Sequence, residues 1–321
     1  MNIPYDIESD ADLPLVLAPM AEYTDAAMRT MCRSGGAAWT VTEMVNAIGC
    51  ARGDPKTMSL LVDLGDGTPA VAQLYGNDPA ALADAAAVVE ATGRFIGIDL
   101  NAGCPVPRIR ACGAGSALIE SPALIEKLLS AMSAAVKIPV SLKTRLGPDP
   151  ARDNSLDLLS AAENGGARIL YLHARYTSQG HGGSTHWAQV AKVKSKAEIP
   201  VVGNGSVMTV GQARRIAVET GVDAIMIGRA AWGNPDVFSG MEAAPERKKA
   251  NLLRHIELQK KLIGRQLQLK ASRQSGDYLL ALAFRNHLFR YLSGLRGANA
   301  VRARLSSIDG EAAIMDAIRL L

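Results

Sequence analysis

The residues of this chain with chemical potential fall in short, separate clusters. Cys104 stands in Asn101-Ala102-Gly103-Cys104-Pro105. A thiol held within hydrogen-bond reach of a carbon centre acts as a general acid. Most free cysteines are small buried hydrophobes instead, which is the expectation for Cys32 and Cys50; Cys112 precedes Gly-Ala-Gly and falls nearer the same loop. Lys143 and Arg145 flank Thr144 at the end of an apolar run. A lysine drawn into such a run needs an anion. Two anions compete for it: the N1–O2 edge of a reduced flavin, and a neighbouring carboxylate, Asp99 or Glu43. Further on come His173 and Arg175, then Gly203-Asn204-Gly205-Ser206 and Gly228-Arg229. Glycines there let backbone N–H groups approach an anion. Arg229 adds a charged fork, so the two loops together read as a phosphate pocket.

These residues need a scaffold that gathers them. Short runs rich in Val, Ile and Leu predict strands at 13–19, 39–44, 70–75, 95–100, 139–145, 168–173, 200–204 and 224–228. Continuous apolar strands suit a parallel sheet covered on both faces. Between them, Ala80–Ala91 and Pro122–Val136 are the clearest helices, since Ala and Leu favour helix and Pro opens one. Eight strands alternating with helices predict an α/β fold, a closed (β/α)8 TIM barrel; an open doubly wound sheet is the alternative. A TIM barrel carries its site at the C-terminal strand ends. Pro19-Met20-Ala21, Gln73, Asn101 to Cys104, Lys143, Arg145, His173, Arg175, Asn204 and Arg229 all fall on or just after those ends.

The chain has 321 residues, enough for a barrel of about 250 and a small further unit. Strand-like runs stop near residue 240. From 245 onward the pattern is helical, with apolar positions 252, 253, 256, 262, 263 and 267 expected on one face. Helices over 277–293, after a Gly-punctuated turn, and at the C-terminus complete a small helical bundle. The division is thus a barrel over 1–240 and a bundle over 245–321. The bundle holds 15 Lys/Arg against 6 Asp/Glu, a balance of +9, while residues 1–244 hold 20 against 25. A basic unit on an acidic body suits a polyanionic partner or, equally, a solvated Lys/Arg-rich surface. Four scattered cysteines without a CxxC pair exclude a disulfide framework and point to a reducing cytoplasm without a zinc site. No membrane-length apolar run is present, and the acidic N-terminus has no secretory pattern.

The blocks APMAEYTD (18–25), TEMV (42–45), QLYGNDP (73–79), DLNAGCPVPRI (99–109), GAGSAL (113–118), VSLKTRLG (140–147), HAR (173–175), VVGNGS (201–206) and MIGRAAWGNP (226–235) resemble the tRNA-dihydrouridine synthases in order and spacing. The likeness runs from about 13 to 240, and the tail resembles that family's RNA-binding domain more loosely. It implies an FMN-containing barrel that takes hydride from NADPH. The hydride goes to C6 of a uracil, and a cysteine matching Cys104 protonates C5. It also implies that Pro19, Met20, Ala21, Gln73, Lys143, His173, Asn204, Gly205, Ser206, Gly228 and Arg229 hold FMN. Asn101 matches a uracil contact and Arg175 a motif arginine near substrate. The target base would be flipped out of a tRNA gripped by the basic tail, with the enzyme a monomer. Lys260, Lys261 and Arg265 are the expected gripping residues.

Departures from the pattern fall on the substrate side. HARYTSQGHGG replaces the usual HGRT segment, with His181 where Tyr is common; Ser206 stands where an acid usual to the family follows Asn-Gly; and Pro107-Arg108 moves a positive charge along by one. Aromatic residues are only 4%, so base stacking falls to Tyr23, Tyr75 or Tyr176, of which Tyr176 is taken with Arg175 as substrate-binding. Three other readings remain at this level. One is an FMN barrel reductase of a free pyrimidine or enone, which would not need the tail. Another is a tRNA-binding protein without catalysis, which would not need Cys104 and Lys143. The third is a Cys–His hydrolase using His173, which would need no phosphate pocket.

Overall fold

A computed structural model describes residues 13–241, 244–269, 275–304 and 308–321. The acidic N-terminal stretch and part of the expected third tail helix lie outside the described residues. Eight parallel strands close into a barrel: β1 Leu15–Leu17, β2 Trp39–Asn46, β3 Ala70–Tyr75, β4 Gly97–Ala102, β5 Val140–Arg145, β6 Ile169–His173, β7 Val201–Asn204 and β8 Ala224–Ile227. Each expected strand is present. β1 is shorter than its apolar run, because Ala18 makes the last bond, to the Ile227 carbonyl at 2.8 Å, and Pro19 has no N–H to continue. The helices Pro79–Ala91 and Pro122–Ala135 both begin on their prolines, where the missing N–H costs no helical bond.

Residues alternate along each strand between two cores. Val16, Val41, Val71, Ile169, Val202, Ala224 and Met226 fill the barrel interior with Trp39 and Tyr171. The Trp39 indole donates to the Tyr171 hydroxyl at 2.9 Å, so both large polar tips are satisfied in the barrel. The other face packs Leu17, Leu74, Leu100, Leu142, Leu172 and Ile225 against the surrounding helices. The barrel interior is therefore filled below, and the polar strand ends meet above it.

The β2–β3 register shifts between Val41 and Met44. Thr42 Oγ1 takes the place of a backbone acceptor and receives the Gln73 N–H at 2.9 Å. The bulge re-aims Glu43, whose carboxyl accepts the Glu22 N–H at 2.6 Å. It thereby pins the loop after β1.

The C-terminal helices span Pro245–Leu269, Gly276–Tyr291, Ala298–Arg304 and Glu311–Ile318. They share a core of Leu252, Ile256, Leu280, Phe284, Leu288, Tyr291, Val301 and Ile314. Leu253, expected on that face, is exposed. Adjacent residues lie about 100° apart around a helix, so it cannot point where Leu252 points. Leu262 instead packs with Ala26, Ala27 and Val62 of the barrel unit. Polar ties join the same seam: Arg247 to Asp236 at 2.7 Å, Gln266 to the Ser59 carbonyl at 3.0 Å and Arg265 to the Asp63 carbonyl at 3.0 Å. Gly233 allows close docking, because a Cβ there would lie 2.5 Å from the Arg290 carbonyl carbon. Among the described residues no helix is long and apolar enough to cross a membrane.

Candidate active site

The strand ends open into one cavity of about 520 Å³. Pro19, Met20, Ala21, Gln73, Asn101, Cys104, Lys143, His173, Asn204, Gly205, Ser206, Gly228 and Arg229 all line it. Register explains the grouping. Asn101 pairs with Lys143 across β4 and β5, and His173 pairs with Asn204 across β6 and β7.

One wall is a hydrogen-bonded chain. Ser141 Oγ donates to Asp99 at 2.8 Å, and Gln73 Nε2 donates to the other Asp99 oxygen at 2.7 Å. Asn101 Nδ2 donates to Gln73 Oε1 at 2.8 Å, and Asn101 Oδ1 accepts the N–H groups of Gly103 and Cys104 at 3.1 and 3.0 Å. Asp99, three side chains away, thus orients the amides that fix the Cys104 loop. Gly115 completes that loop's seat: its φ is +61°, and a Cβ there would lie 2.7 Å from the Cys104 carbonyl oxygen. Cys104 is half-buried, Cys112 exposed, and Cys32 and Cys50 are buried.

The opposite polarity comes from β5 to β8. Lys143 Nζ donates to Asn204 Oδ1 at 3.3 Å, while Asn204 Nδ2 donates to the Met226 carbonyl at 2.9 Å. Burial pushes the Lys143 ammonium down and the Asp99 carboxyl up, and their mutual attraction opposes both shifts. Burial also holds His173 well below the usual imidazole range, reinforced by Lys143, Arg145 and Arg175; among the described residues its buried Nδ1 has no partner. His181 joins the wall, with its ring 6.4 Å from that of His173. Its pKa is lowered by burial and by Arg145 and Arg229. Both imidazoles are neutral near pH 7, where each offers one donor and one acceptor.

Arg145 is a brace rather than a free cation. It donates to the carbonyls of Gly103 at 2.7 Å and Gly180 at 2.7 Å, joining the Cys104 loop to the loop after β6.

Two expected substrate contacts lie elsewhere. Arg175 is buried outside the cavity wall, donating to Ser206 Oγ at 2.7 Å and to the Gly183 carbonyl at 2.8 Å. It holds Ser206, a non-glycine residue at φ +52°, in place. Tyr176 also points away, its hydroxyl donating to Asp153 at 2.5 Å. After β6 the chain turns into a short helical segment, and that carries the ring behind the wall.

Trp232 was not anticipated as a wall residue. It lines the cavity with Tyr23, their rings stacked at 4.4 Å. Its sequence signal was only that it follows Gly228-Arg229. His255 and His287, on two C-terminal helices, were also not singled out; they lie with Asp25 so that one ligand-type atom of each is within 4.8 Å of the others. Of the tail cations expected to grip RNA, Lys260 is paired with Glu311 at 2.7 Å and Arg265 with Asp63 at 3.5 Å, both pairs partly exposed; Lys261 is exposed.

Among solved structures, the chain is similar to a 2-naphthoyl-CoA reductase, at TM-score 0.56 and 9% identity over 74% of this chain and 51% of the other. It is also similar to histamine dehydrogenase from a Rhizobium species, at TM-score 0.55 and 14% identity over 99% of this chain and 64% of the other. These likenesses are of fold. Sequence relatives are much nearer. A tRNA-dihydrouridine synthase B of Pseudomonas aeruginosa is 34% identical over 93% of this chain and 90% of its own length. One from Yersinia pestis is 38% identical over 70% of each chain, and one from Vibrio cholerae 33% over 95% and 94%. The family model described as dihydrouridine synthase matches residues 16–319. With that match spanning barrel and tail, and relatives above 30% identity along nearly their whole length, this chain belongs to the dihydrouridine synthase family.

Proposed function

We propose that this chain reduces the C5–C6 double bond of uridine in tRNA, using bound FMN and NADPH as reductant. The observation that carries the reading is the sharing of one cavity by a half-buried thiol, a half-buried lysine and two glycine-containing strand ends. Family membership and the names of the relatives support the substrate.

The residues present fit a flavin. Among the described residues His173 Nδ1 is buried without a partner, which a polar ligand would relieve. Gly205, at φ +143°, and Gly228 present bare backbone beside Arg229, a setting suited to a phosphate. Pro19, Met20, Ala21, Gln73, Lys143, His173, Asn204, Gly205, Ser206, Gly228 and Arg229 would hold FMN. When bound and reduced by NADPH, the flavin supplies hydride to C6 of the uracil.

The chain's own groups do the rest. Cys104 carries the proton that C5 requires. Asn101 positions it, since both of its polar atoms are engaged in the wall. Lys143 provides positive charge where the reduced cofactor is negative. Arg175 acts through Ser206. Residues 1–240 serve catalysis and 245–321 bind RNA, the enzyme acting as a cytoplasmic monomer.

The test is to incubate purified protein, FMN and NADPH with unmodified tRNA and measure dihydrouridine by mass spectrometry. Formation dependent on all components supports the reading. A colourless protein that takes up no FMN overturns it.

A further inference from the structure

The cavity wall continues onto the tail as a run of flat groups. Tyr23 and Trp232 stack within the cavity. The Arg290 guanidinium lies 4.3 Å from the Trp232 ring and 5.7 Å from the Phe289 ring. Arg302 lies 5.7 Å from that same Phe289 ring. Phe289 is 45% exposed. Among the described residues neither Arg290 nor Arg302 has a carboxylate partner, and Arg290 Nε is buried without an acceptor. Four other tail cations are ion-paired: Arg247 to Asp236, Lys260 to Glu311, Arg265 to Asp63 and Arg319 to Asp316.

Arg302 donates to Asn299 Oδ1 at 3.0 Å and to no carboxylate, and guanidinium groups without a protein counter-charge that alternate with aromatic rings suit unstacked nucleotides. Bases stack on either kind of plane, and phosphates pair with the charge. A base delivered to a buried cavity must leave its helix, which exposes its neighbours. We propose that Arg290, Phe289 and Arg302, continuing from the Tyr23–Trp232 stack at the cavity wall, form the track for the single-stranded RNA next to the target uridine. This rests on the RNA reading above. Its occupant is RNA because the run begins at the cavity, extends beyond it, and carries positive charge without protein counter-charge. The track is then the tail's grip on the strand nearest the cavity.

The test uses Phe289→Ser, Arg302→Gln and Arg290→Gln in the full-length, FMN-loaded protein, with Arg319→Gln as the surface control. Binding of unmodified tRNA is measured across a salt series, together with KM for tRNA and KM for NADPH. Each track variant should weaken tRNA binding about tenfold, the loss of one stacked base. Each arginine variant should also lower the salt slope by about one. The control should bind as wild type. Phe289 and Arg302 are surface residues, so they decide the matter should Arg290→Gln fail to load flavin. Wild-type tRNA affinity in both surface variants overturns the track, as does a rise in KM for NADPH alone, which would assign the planes to the dinucleotide. Should the wild-type protein form no dihydrouridine in any RNA, the functional reading itself fails, a result separate from either.

Discussion

At the scale of residues, the site turns on a thiol whose loop is held by the Asn101 side chain. Cys104→Ala should keep FMN, because none of the expected flavin contacts is removed, and should lower dihydrouridine formation by about 100-fold or more, the usual contribution of a general acid. Flavin absorbance and single-turnover product formation check the two halves. Full activity in the variant would dismiss Cys104 as the acid. Glu43 makes a different point. Burial and the nearby Asp25 raise its carboxyl to about 7, although the Glu22 N–H favours the charged form. A carboxyl raised in the folded state loses stability as pH climbs from its ordinary value of 4.5 through about 7. Glu43→Gln keeps the acceptor and removes the charge. It should therefore be more stable than wild type at pH 8 by about 1–3 kcal/mol and no more stable at pH 4. Denaturant unfolding at the two pH values tests this, and equal shifts at both would refute it.

At the scale of elements, loops rather than strands fix the geometry. Gly115 sits at φ +61° beneath the Cys104 carbonyl. Gly115→Ala adds both backbone strain and a clash, at a cost of about 1–3 kcal/mol. The expected phenotype is a lower kcat with flavin content retained, since the Cys104 loop is displaced while the β7 and β8 loops are untouched. An unchanged kcat would show that the loop tolerates the shift. The strands were legible as continuous apolar runs because the barrel buries both faces of every strand. The shift within β2 was not, because a bulge depends on what Thr42 Oγ1 meets across the strand pair.

At the scale of the whole molecule, barrel and tail meet over buried imidazoles. His255 is held well below its usual range by burial and by His287, and His287 is lowered by burial against the attraction of Asp25. Unfolded, both take up protons below about 6.5; folded, they resist. Stability is therefore intact above that pH and falls as pH drops below it. Melting temperature followed from pH 7.5 to 5 should decline, and a His255→Phe/His287→Leu variant should decline less over that window. Parallel curves would remove these histidines as the cause. Gly233→Ala should likewise loosen the seam, by about 1–3 kcal/mol, since its Cβ would meet the Arg290 backbone. Limited proteolysis of the tail reports it, and wild-type resistance would count against tight docking there.

The sequence by itself determined the barrel, the order of its strands and the gathering of Cys104, Lys143, His173 and both glycine loops at one mouth. Strand periodicity and parallel register are local or pairwise properties, and they carry strand-end residues to one rim wherever the closure is regular. Only the tertiary structure decided which neighbours face the cavity. It withdrew Arg175 and Tyr176 behind the wall, brought Trp232 forward, and paired Lys260 with Glu311 and Arg265 with Asp63. A side chain beyond a strand end takes its direction from the loops and helices packed around it. A surface charge takes its role from whether an opposite charge arrives from a distant part of the chain, and neither is written in the residue's own neighbourhood.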